Sequence, residues 1–170
     1  MRIEARGCVI RSFRPDDAPS LAANANHWAV WSQLRDSMPH PYTVDHAAAF
    51  IEVMLRQHQE TAFAVDVAGQ AMGSVGITFQ TDINRHTAEI GYWLGRPYWG
   101  NGIATDAVRT VSAWAFDRFP LMRIFAVPFA DNPASCRVLE KAGYVFEGCL
   151  RSSAVKDGRV KDQLVFALLP

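Results

Sequence analysis

The chain has 170 residues, of which 49% are hydrophobic and 20% are charged, so it can bury a substantial core and resembles neither disordered nor fibrous chains. Its 17 Lys and Arg residues balance 17 Asp and Glu residues, which argues against a general binder of nucleic acid or anionic membranes. This length and composition predict a single domain spanning residues 1–170.

The first third of the chain predicts a strand, a helix, an irregular stretch and a second helix. A strand is expected at 8–13, followed by a helix at 15–26 that opens on a proline and two acidic residues. Residues 27–42 predict irregular structure with at most a short helix. Thr43 is expected to cap the next helix alone, because His46 stands where a capping box carries Glu or Gln. The helix behind this cap has an apolar stripe formed by Ala47, Phe50, Ile51, Met54 and Leu55.

From residue 62 the apolar period changes from that of helices to that of strands. Residues 62–67 and 71–79 predict a hairpin. Further strands are expected at 87–94, 123–129, 145–154 and 160–168, and helices at 102–119 and 133–142. Either Asp131 or Asn132 is expected to cap the last helix, and Gly143 to end it in a left-handed conformation. The sequence therefore predicts one mixed α/β domain.

The cysteines and histidines do not predict a metal or disulfide site. Cys8, Cys136 and Cys149 are odd in number and widely spaced, so we expect buried free thiols in a reducing cytoplasm. The five histidines show no metal-binding spacing, and no metal site is predicted. The N-terminal residues lack the apolar run of a signal peptide, and no stretch is long enough for a membrane span. We expect a soluble cytoplasmic protein with neither membrane nor nucleic acid as a partner.

The most informative segment is residues 91–105, GYWLGRPYWGNGIAT, in which a strand enters a glycine-bearing loop and the loop enters a helix. Glycines allow backbone N–H groups to turn inward, and a helix N-terminus adds unpaired N–H groups, so such a loop suits a phosphate. The segment lacks both the Gly-Lys-Ser/Thr of a P-loop and the third glycine of a dinucleotide fingerprint. A tight turn that needs glycine for steric reasons alone explains the same pattern.

A second segment, residues 129–144, places Asn132 and Ser135 at the start of a short helix, where both could serve only as helix-start groups or could also face a ligand. Five segments are informative together: the N-terminal IRSFRPDDAPSL, a GSVGI strand, AEIGYWLGRPYWGNGIATDAV, NPASCRVLEKAGYVFEG and KDGRVKDQLVFAL. With these segments, the chain resembles the RimJ/RimL-like branch of the GNAT superfamily of acyl-CoA-dependent N-acetyltransferases. These ordered motifs cover nearly the whole chain.

The resemblance implies the GNAT fold, with a central mixed, mostly antiparallel, twisted sheet of about seven strands and about four flanking helices. It implies acetyl-CoA as cosubstrate and no metal. The pyrophosphate is expected on the glycine loop and helix start, formed by Trp99, Gly100, Asn101, Gly102, Ile103, Ala104 and Thr105. Pro97 stands where the superfamily pattern carries Gln or Arg, which removes one donor and leaves mostly backbone contacts.

The resemblance also assigns catalytic roles. The strands at 88–94 and 123–129 are expected to splay apart around the pantetheine arm, with the backbone of Tyr92, Trp93 and Leu94 holding the thioester and offering an N–H to the oxyanion. Glu89 is the candidate general base, acting through a water, although it could merely pair with a surface base such as Arg85. Ser135 is the candidate proton donor to the departing thiolate, and Asn132 the candidate contact to the pantetheine.

Cys136 is not expected to form an acyl-enzyme, because no histidine is placed to activate it. Of the four aromatics in residues 92–99, Tyr92 and Trp93 are expected on opposite faces of their strand. The acceptor-side wall is expected at His27, Trp28, Trp31 and 38–42, where an aromatic cluster could equally be packing.

The expected function is transfer of an acetyl group from acetyl-CoA directly to a primary amine in a ternary complex. The acceptor is either a protein N-terminal α-amine or a small-molecule amine. A non-catalytic acyl-CoA sensor is the alternative, and a nucleotide-binding protein that uses the loop at 100–102 is a third. By analogy with relatives, the hairpin at 145–168 could support a homodimer.

Overall fold

The computed structural model describes residues 1–170, and its eight strands form one sheet in the order β1-β2-β3-β4-β5-β6-β8-β7. Neighbouring strands are antiparallel except β5 and β6, which are parallel. The strands are β1 (Arg2–Ala5), β2 (Cys8–Arg11), β3 (Ala62–Val67), β4 (Gln70–Phe79), β5 (Thr87–Leu94), β6 (Arg123–Ala126), β7 (Val145–Lys156) and β8 (Arg159–Leu168). The mixed, mostly antiparallel sheet that the sequence predicts is confirmed.

Five α-helices cover the two faces of this sheet. They are α1 (Ala18–Ala25), α2 (Trp28–Trp31), α3 (Val44–Arg56), α4 (Ile103–Arg118) and α5 (Pro133–Lys141). One apolar cluster joins α4 and α5 to side chains such as Phe63, Val75 and Ile90, and a second joins α1 and α3 to Ala64 and Ala71. Because successive strand residues point to opposite faces, the two clusters lie on opposite sides of the sheet. None of the helices combines the length and apolarity that crossing a membrane requires.

The expected counts of about seven strands and about four helices were each one too low. The additional strand, β1, has only four residues and alternates polar with apolar side chains in a partly exposed position, so it gives a weak apolar signal. The additional helix, α2, is a single turn of four residues within the stretch expected to be irregular. The expectation that all three thiols are buried was also wrong, because Cys149 is exposed on β7 and Cys136 is only half-buried.

Local hydrogen bonds explain where the helices begin and end. Asn132 rather than Asp131 caps α5, and its Oδ1 accepts from the Ser135 N–H at 3.0 Å. Gly143 follows α5 at φ +99°, as predicted. The prediction of a single cap at Thr43 was wrong. The N–H of Thr43 donates to His46 Nδ1 at 3.2 Å while Thr43 Oγ1 accepts from the His46 N–H, so the imidazole nitrogen takes the place of a Glu carboxylate in a capping box.

A buried ion triad ties β2 to β3 and to the turn before α1. The Arg11 guanidinium donates to both carboxylate oxygens of Asp17 at 2.7 Å and to Asp66 at 2.6 Å. Backbone N–H groups also donate to the two carboxylates. Asp17 accepts from the Arg14 N–H and Asp66 from the Gly69 N–H, each at 2.7 Å. These contacts, which raise the pKa of Arg11 above its ordinary value, leave each charge in the triad with a partner.

Replacing Arg11 by Met is expected to lower the free energy of unfolding by about 3–5 kcal/mol, because two buried carboxylates lose their partner. The matched control is Arg2→Met, which breaks the exposed ion pair with Glu4 and is expected to cost less than about 1 kcal/mol. Urea unfolding followed by circular dichroism measures both. Equal losses in the two variants would contradict the structural role of the triad.

Candidate active site

The site begins where β5 and β6 part. The two strands are paired only over Thr87–Arg123, Ala88–Ile124 and Glu89–Phe125. Beyond Glu89, the second half of β5 keeps its pairing with β4 but has no neighbour on the β6 side. Alternate residues of 90–94 therefore direct backbone N–H and C=O groups into open space. This agrees with the splayed strands expected from the sequence.

The parting follows from the course of the chain after β6. Pro128 has no N–H to donate to β5, and its carbonyl accepts from the Leu164 N–H at 2.9 Å. The Ala130 N–H then donates to the Asp162 carbonyl at 2.9 Å, and Phe129 forms a bridge with Gln163. Residues 127–130 thus run alongside β8 and diverge from β5.

The space between the strands is part of a cleft of about 1280 Å³. The catalytic and donor-binding residues proposed from the sequence all line this cleft: Glu89, Tyr92, Trp93, Leu94, Trp99, Gly100, Asn101, Gly102, Ile103, Ala104, Thr105, Asn132 and Ser135. Sequence reasoning missed several other lining residues, among them Arg35, Gln33, Arg109 and Arg137. The fold thus brings together the two motifs that lie about thirty residues apart in the chain.

The glycine loop presents backbone to this cleft. Gly100 and Gly102 have φ of +81° and +80°, and no atom lies within 4 Å of the position that a Cβ would occupy at either residue. Gly102 is also the N-cap of α4 and provides no side-chain cap, so the first-turn N–H groups of Ile103, Ala104 and Thr105 have no side chain to satisfy them. Open space above unpaired N–H groups at a helix N-terminus fits the pyrophosphate of CoA.

Neighbouring residues fix the shape of this loop. Trp99 Nε1 donates to the Leu94 carbonyl at 2.6 Å and thereby fastens the loop to the end of β5. Pro97 lies within the 3₁₀ turn Arg96–Tyr98, where its fixed φ is compatible with the turn. The side chains of Ile103 and Thr105 are buried, so these residues offer the cleft mainly their backbone.

Glu89 lies in the cleft with 19% of its side chain exposed, and it is paired with Arg35. The alternative partner considered from the sequence, Arg85, instead donates to the Asp82 carbonyl at 3.2 Å. Arg35 is 74% exposed and projects from the segment that follows α2. The Arg35 guanidinium pairs with only one oxygen of the Glu89 carboxylate, Oε1.

The segment that carries Arg35 is fixed at two points. Trp31 Nε1 donates to the Met38 carbonyl at 2.9 Å, which closes the segment on itself. Lys156, at the tip of the β7–β8 hairpin, donates to Asp36 at 2.8 Å and lies 3.8 Å from the centre of the Trp31 ring. Although 2% exposed, this lysine has both an anion and an aromatic face as partners.

Only part of the expected acceptor wall lines the cleft. Met38 lines the cleft, whereas Trp28, Trp31 and His40 pack on one another beside it, with ring centroids 4.9 to 5.9 Å apart. His27 accepts from the Ala29 N–H and caps α2. Much of the aromatic cluster therefore supports the wall from outside the cleft.

Ser135 and Tyr92 meet across the cleft. Tyr92 Oη lies 2.7 Å from Ser135 Oγ and 3.2 Å from the Ser135 carbonyl oxygen. Burial raises the pKa of the Tyr92 phenol well above its ordinary value, and the contact with Ser135 offsets only part of this effect. Tyr92 packs against the α4–α5 cluster and Trp93 against the α1–α3 cluster, as their alternation predicts. The side-chain role of Tyr92 was missed because its partner is 43 residues away.

Cys136, next to Ser135, does not line the cleft. It packs against the α4–α5 cluster, and burial raises the pKa of its thiol. A thiol that is less ionised is a poorer nucleophile, which disfavours an acyl-enzyme at this residue.

Comparisons with known proteins agree with this geometry. Residues 8–145 match the family model described as an acetyltransferase (GNAT) domain. A Bacillus subtilis protein named "Probable N-acetyltransferase YjcK" is 45% identical over 83 residues, which are 49% of this chain and 46% of that protein. The ribosomal-protein-serine acetyltransferase of Escherichia coli is 28% identical over 116 residues, which are 68% of this chain and 64% of the relative.

Among solved structures, Mycobacterium smegmatis RimJ in complex with CoA-disulfide superposes with a TM-score of 0.82. The match has 24% identity and covers 99% of this chain and 86% of that one, a likeness that concerns the fold alone. The chain spans about half to two thirds of the length of the first curated relatives it matches. Since the family model matches most of the sequence, the chain belongs to the GNAT acetyltransferase family.

Proposed function

We propose that residues 1–170 form a single acetyltransferase domain, which transfers an acetyl group from acetyl-CoA directly to a primary amine in a ternary complex. The observation that carries the proposal is the open half of β5, which runs from Glu89 to the glycine loop and meets Ser135 at Tyr92. One cleft thus combines an anion cradle, unpaired strand backbone, a carboxylate and a hydroxyl.

The residues divide into a part that binds the donor and a part that performs the chemistry. The backbone of 100–105 holds the pyrophosphate, and the open backbone of Tyr92, Trp93 and Leu94 pairs with the amide-bearing pantetheine arm as an added strand would. CoA supplies the thioester whose carbonyl is attacked. An N–H of the same open strand is directed at the oxygen on which negative charge develops.

Glu89 is the group that removes a proton from the acceptor, directly or through one water. Arg35 pairs with one oxygen of the Glu89 carboxylate, and the acceptor amine approaches the other oxygen or takes the place of the guanidinium. Asn132 fixes the start of α5 and, with it, the position of Ser135.

The proposed acceptor is the N-terminal α-amine of a protein or peptide. An α-amine has a pKa near 8, whereas that of a lysine side chain is about 10.4, so a larger fraction is uncharged at neutral pH. The name of the Escherichia coli relative, a ribosomal-protein-serine acetyltransferase, points to the same class of acceptor for that protein. Three free thiols in the fold favour a reducing compartment, and we propose the cytoplasm.

Thermal unfolding with acetyl-CoA, and with ATP as the control, tests the donor site. At a hundred times its dissociation constant, acetyl-CoA is expected to add about 2.7 kcal/mol, which raises the Tm of a chain of this size by roughly 5–10 °C. ATP is expected to have a much smaller effect, because it lacks the pantetheine arm. An equal shift with ATP would favour the nucleotide-binding alternative, and no shift with acetyl-CoA would refute the proposal.

Turnover is tested with acetyl-CoA and two matched hexapeptides, one with a free N-terminal serine and one N-terminally blocked with an internal lysine. Thiol release and a mass increase of one acetyl group are expected with the free serine peptide and much less with the lysine peptide. Binding of acetyl-CoA without turnover of these or of small amines would favour the sensor alternative.

Replacing Gly102 by Ala is expected to weaken acetyl-CoA binding at least tenfold, because a methyl group enters the cradle and the left-handed conformation costs about 1–2 kcal/mol. Gly148→Ala is the control, since its Cβ also meets open space but its φ is ordinary and it lies on β7. Calorimetric titration with acetyl-CoA measures both variants. Equal affinities in the two would mean that the loop does not hold the donor.

Replacing Glu89 by Gln is expected to lower kcat by about 10²–10⁴-fold while leaving acetyl-CoA affinity within a few-fold, because only the proton acceptor is lost. Glu147→Gln is the matched control, because Glu147 pairs with Arg123 outside the cleft as Glu89 pairs with Arg35 within it. Steady-state thiol release with the serine hexapeptide is the measurement. A kcat of Glu89→Gln close to that of the control would exclude Glu89 as the base.

A further inference from the structure

Two serine–tyrosine pairs occur in this protein, one half-buried and one buried, and their hydroxyl groups differ in their other partners. Ser135 Oγ lies 2.7 Å from Tyr92 Oη, and Ser112 Oγ lies 2.7 Å from Tyr144 Oη. Ser112 also donates to the Val108 carbonyl at 2.8 Å, whereas Ser135 Oγ has no other partner in the protein. Ser135 and Tyr92 line the cleft, and Ser112 and Tyr144 do not.

From this contrast we propose that Tyr92 is a positioning residue, which donates to Ser135 Oγ and so leaves the serine hydrogen free to point at the sulfur of CoA. The inference rests on the proposed function, because it needs CoA in the cleft. It assigns a role to the side chain of Tyr92, whereas the resemblance implied a role only for its backbone.

Either oxygen of the Tyr92–Ser135 pair can donate, and we assign the donated hydrogen to Tyr92. A phenol carries one hydrogen, and here its acceptors are Ser135 Oγ at 2.7 Å and the Ser135 carbonyl at 3.2 Å. The shorter contact has the length typical of an O–H···O hydrogen bond. In the second pair the direction is fixed, because Ser112 gives its hydrogen to Val108 and must accept from Tyr144. The same direction at Tyr92 leaves the hydrogen of Ser135 without an acceptor in the protein.

The free hydrogen stabilises the leaving group without being transferred. When the C–S bond breaks, its electron pair moves to sulfur, and Ser135 Oγ–H donates a hydrogen bond to the resulting thiolate. Both hydroxyl hydrogens stay on their oxygens, since burial raises the pKa of Tyr92 and disfavours a phenolate. Solvent protonates the thiol after it leaves. A hydrogen bond to an ionised acceptor is about twice as strong as one between neutral groups, which suits this task.

The test measures the thiol pKa of bound CoA and does not need turnover. The ultraviolet absorbance of the thiolate is followed as the complex with CoA is titrated, and the spectrum of the complex with desulfo-CoA is subtracted to remove the protein's own cysteines and tyrosines. The variants are Ser135→Ala, Tyr92→Phe, the double variant and Tyr144→Phe. The last is the matched control, because it removes the phenol of an equivalent pair away from the cleft.

The bound thiol is expected to have a lower pKa in the wild type than in Ser135→Ala. Loss of the serine is expected to reduce the thiolate fraction about tenfold at a given pH, which is one pKa unit or about 1.4 kcal/mol. Tyr92→Phe is expected to produce most of that change, the double variant no more than Ser135→Ala alone, and Tyr144→Phe none. Additive effects of the two single variants would overturn the inference.

Each other outcome also decides the question. If the wild type binds CoA and the thiol pKa is the same in all variants, the inference fails and the proposed function stands. If Tyr144→Phe shifts the pKa as much as Tyr92→Phe, the effect is a general loosening of the fold and the inference fails. If the wild type does not bind CoA at all, the proposed function itself fails.

Discussion

The parting of β5 from β6 is the constraint on which the site depends. A buried strand cannot leave its backbone N–H and C=O groups unpaired without a cost in free energy, and sheets normally satisfy them with a neighbour. Here residues 127–130 pair with β8 instead, so the second half of β5 has unpaired backbone N–H and C=O groups on one side. The glycine loop begins where this open strand ends, and α5 begins where the diverging chain ends. A ligand that supplies alternating donors and acceptors completes the sheet, and a ligand that also carries phosphates reaches the start of α4.

The rest of the fold holds the edges of this opening in place. On one face α4 and α5 share an apolar cluster with β5 and β6, so the two helix starts that face the cleft are fixed relative to each other. At the opposite end the Lys156 contacts with Asp36 and Trp31 join the C-terminal hairpin to the segment after α2. That segment presents Arg35 to Glu89. The Glu89 end of the cleft is therefore held by a contact between parts of the chain 120 residues apart.

The sequence predicted the features that depend on neighbouring residues and missed those that depend on distant ones. The Asn132 cap and the Gly143 stop are decided within one helical turn, and both were predicted. The capping role of His46 was missed because the expected pattern demands a carboxylate or amide, although an imidazole nitrogen accepts the same hydrogen bond. The cleft residues were found through motifs, which mark backbone geometry. Their side-chain partners were not, because Arg35 and Glu89 are 54 residues apart and no periodicity links them.

The two serine–tyrosine pairs show how helix position decides which partners a serine hydroxyl has. Ser112 lies within α4, where the carbonyl of Val108 one turn earlier accepts its hydrogen, and the pair is buried in the core. Ser135 is the third residue of α5, and the residue four positions before it lies outside the helix. No helical carbonyl is available at that position, so Tyr92 is the hydroxyl's only hydrogen-bond partner in the protein. The same helix start that needs Asn132 to satisfy the Ser135 N–H therefore also leaves the Ser135 hydroxyl without a helical acceptor, so the cap and the proposed donor have one structural cause.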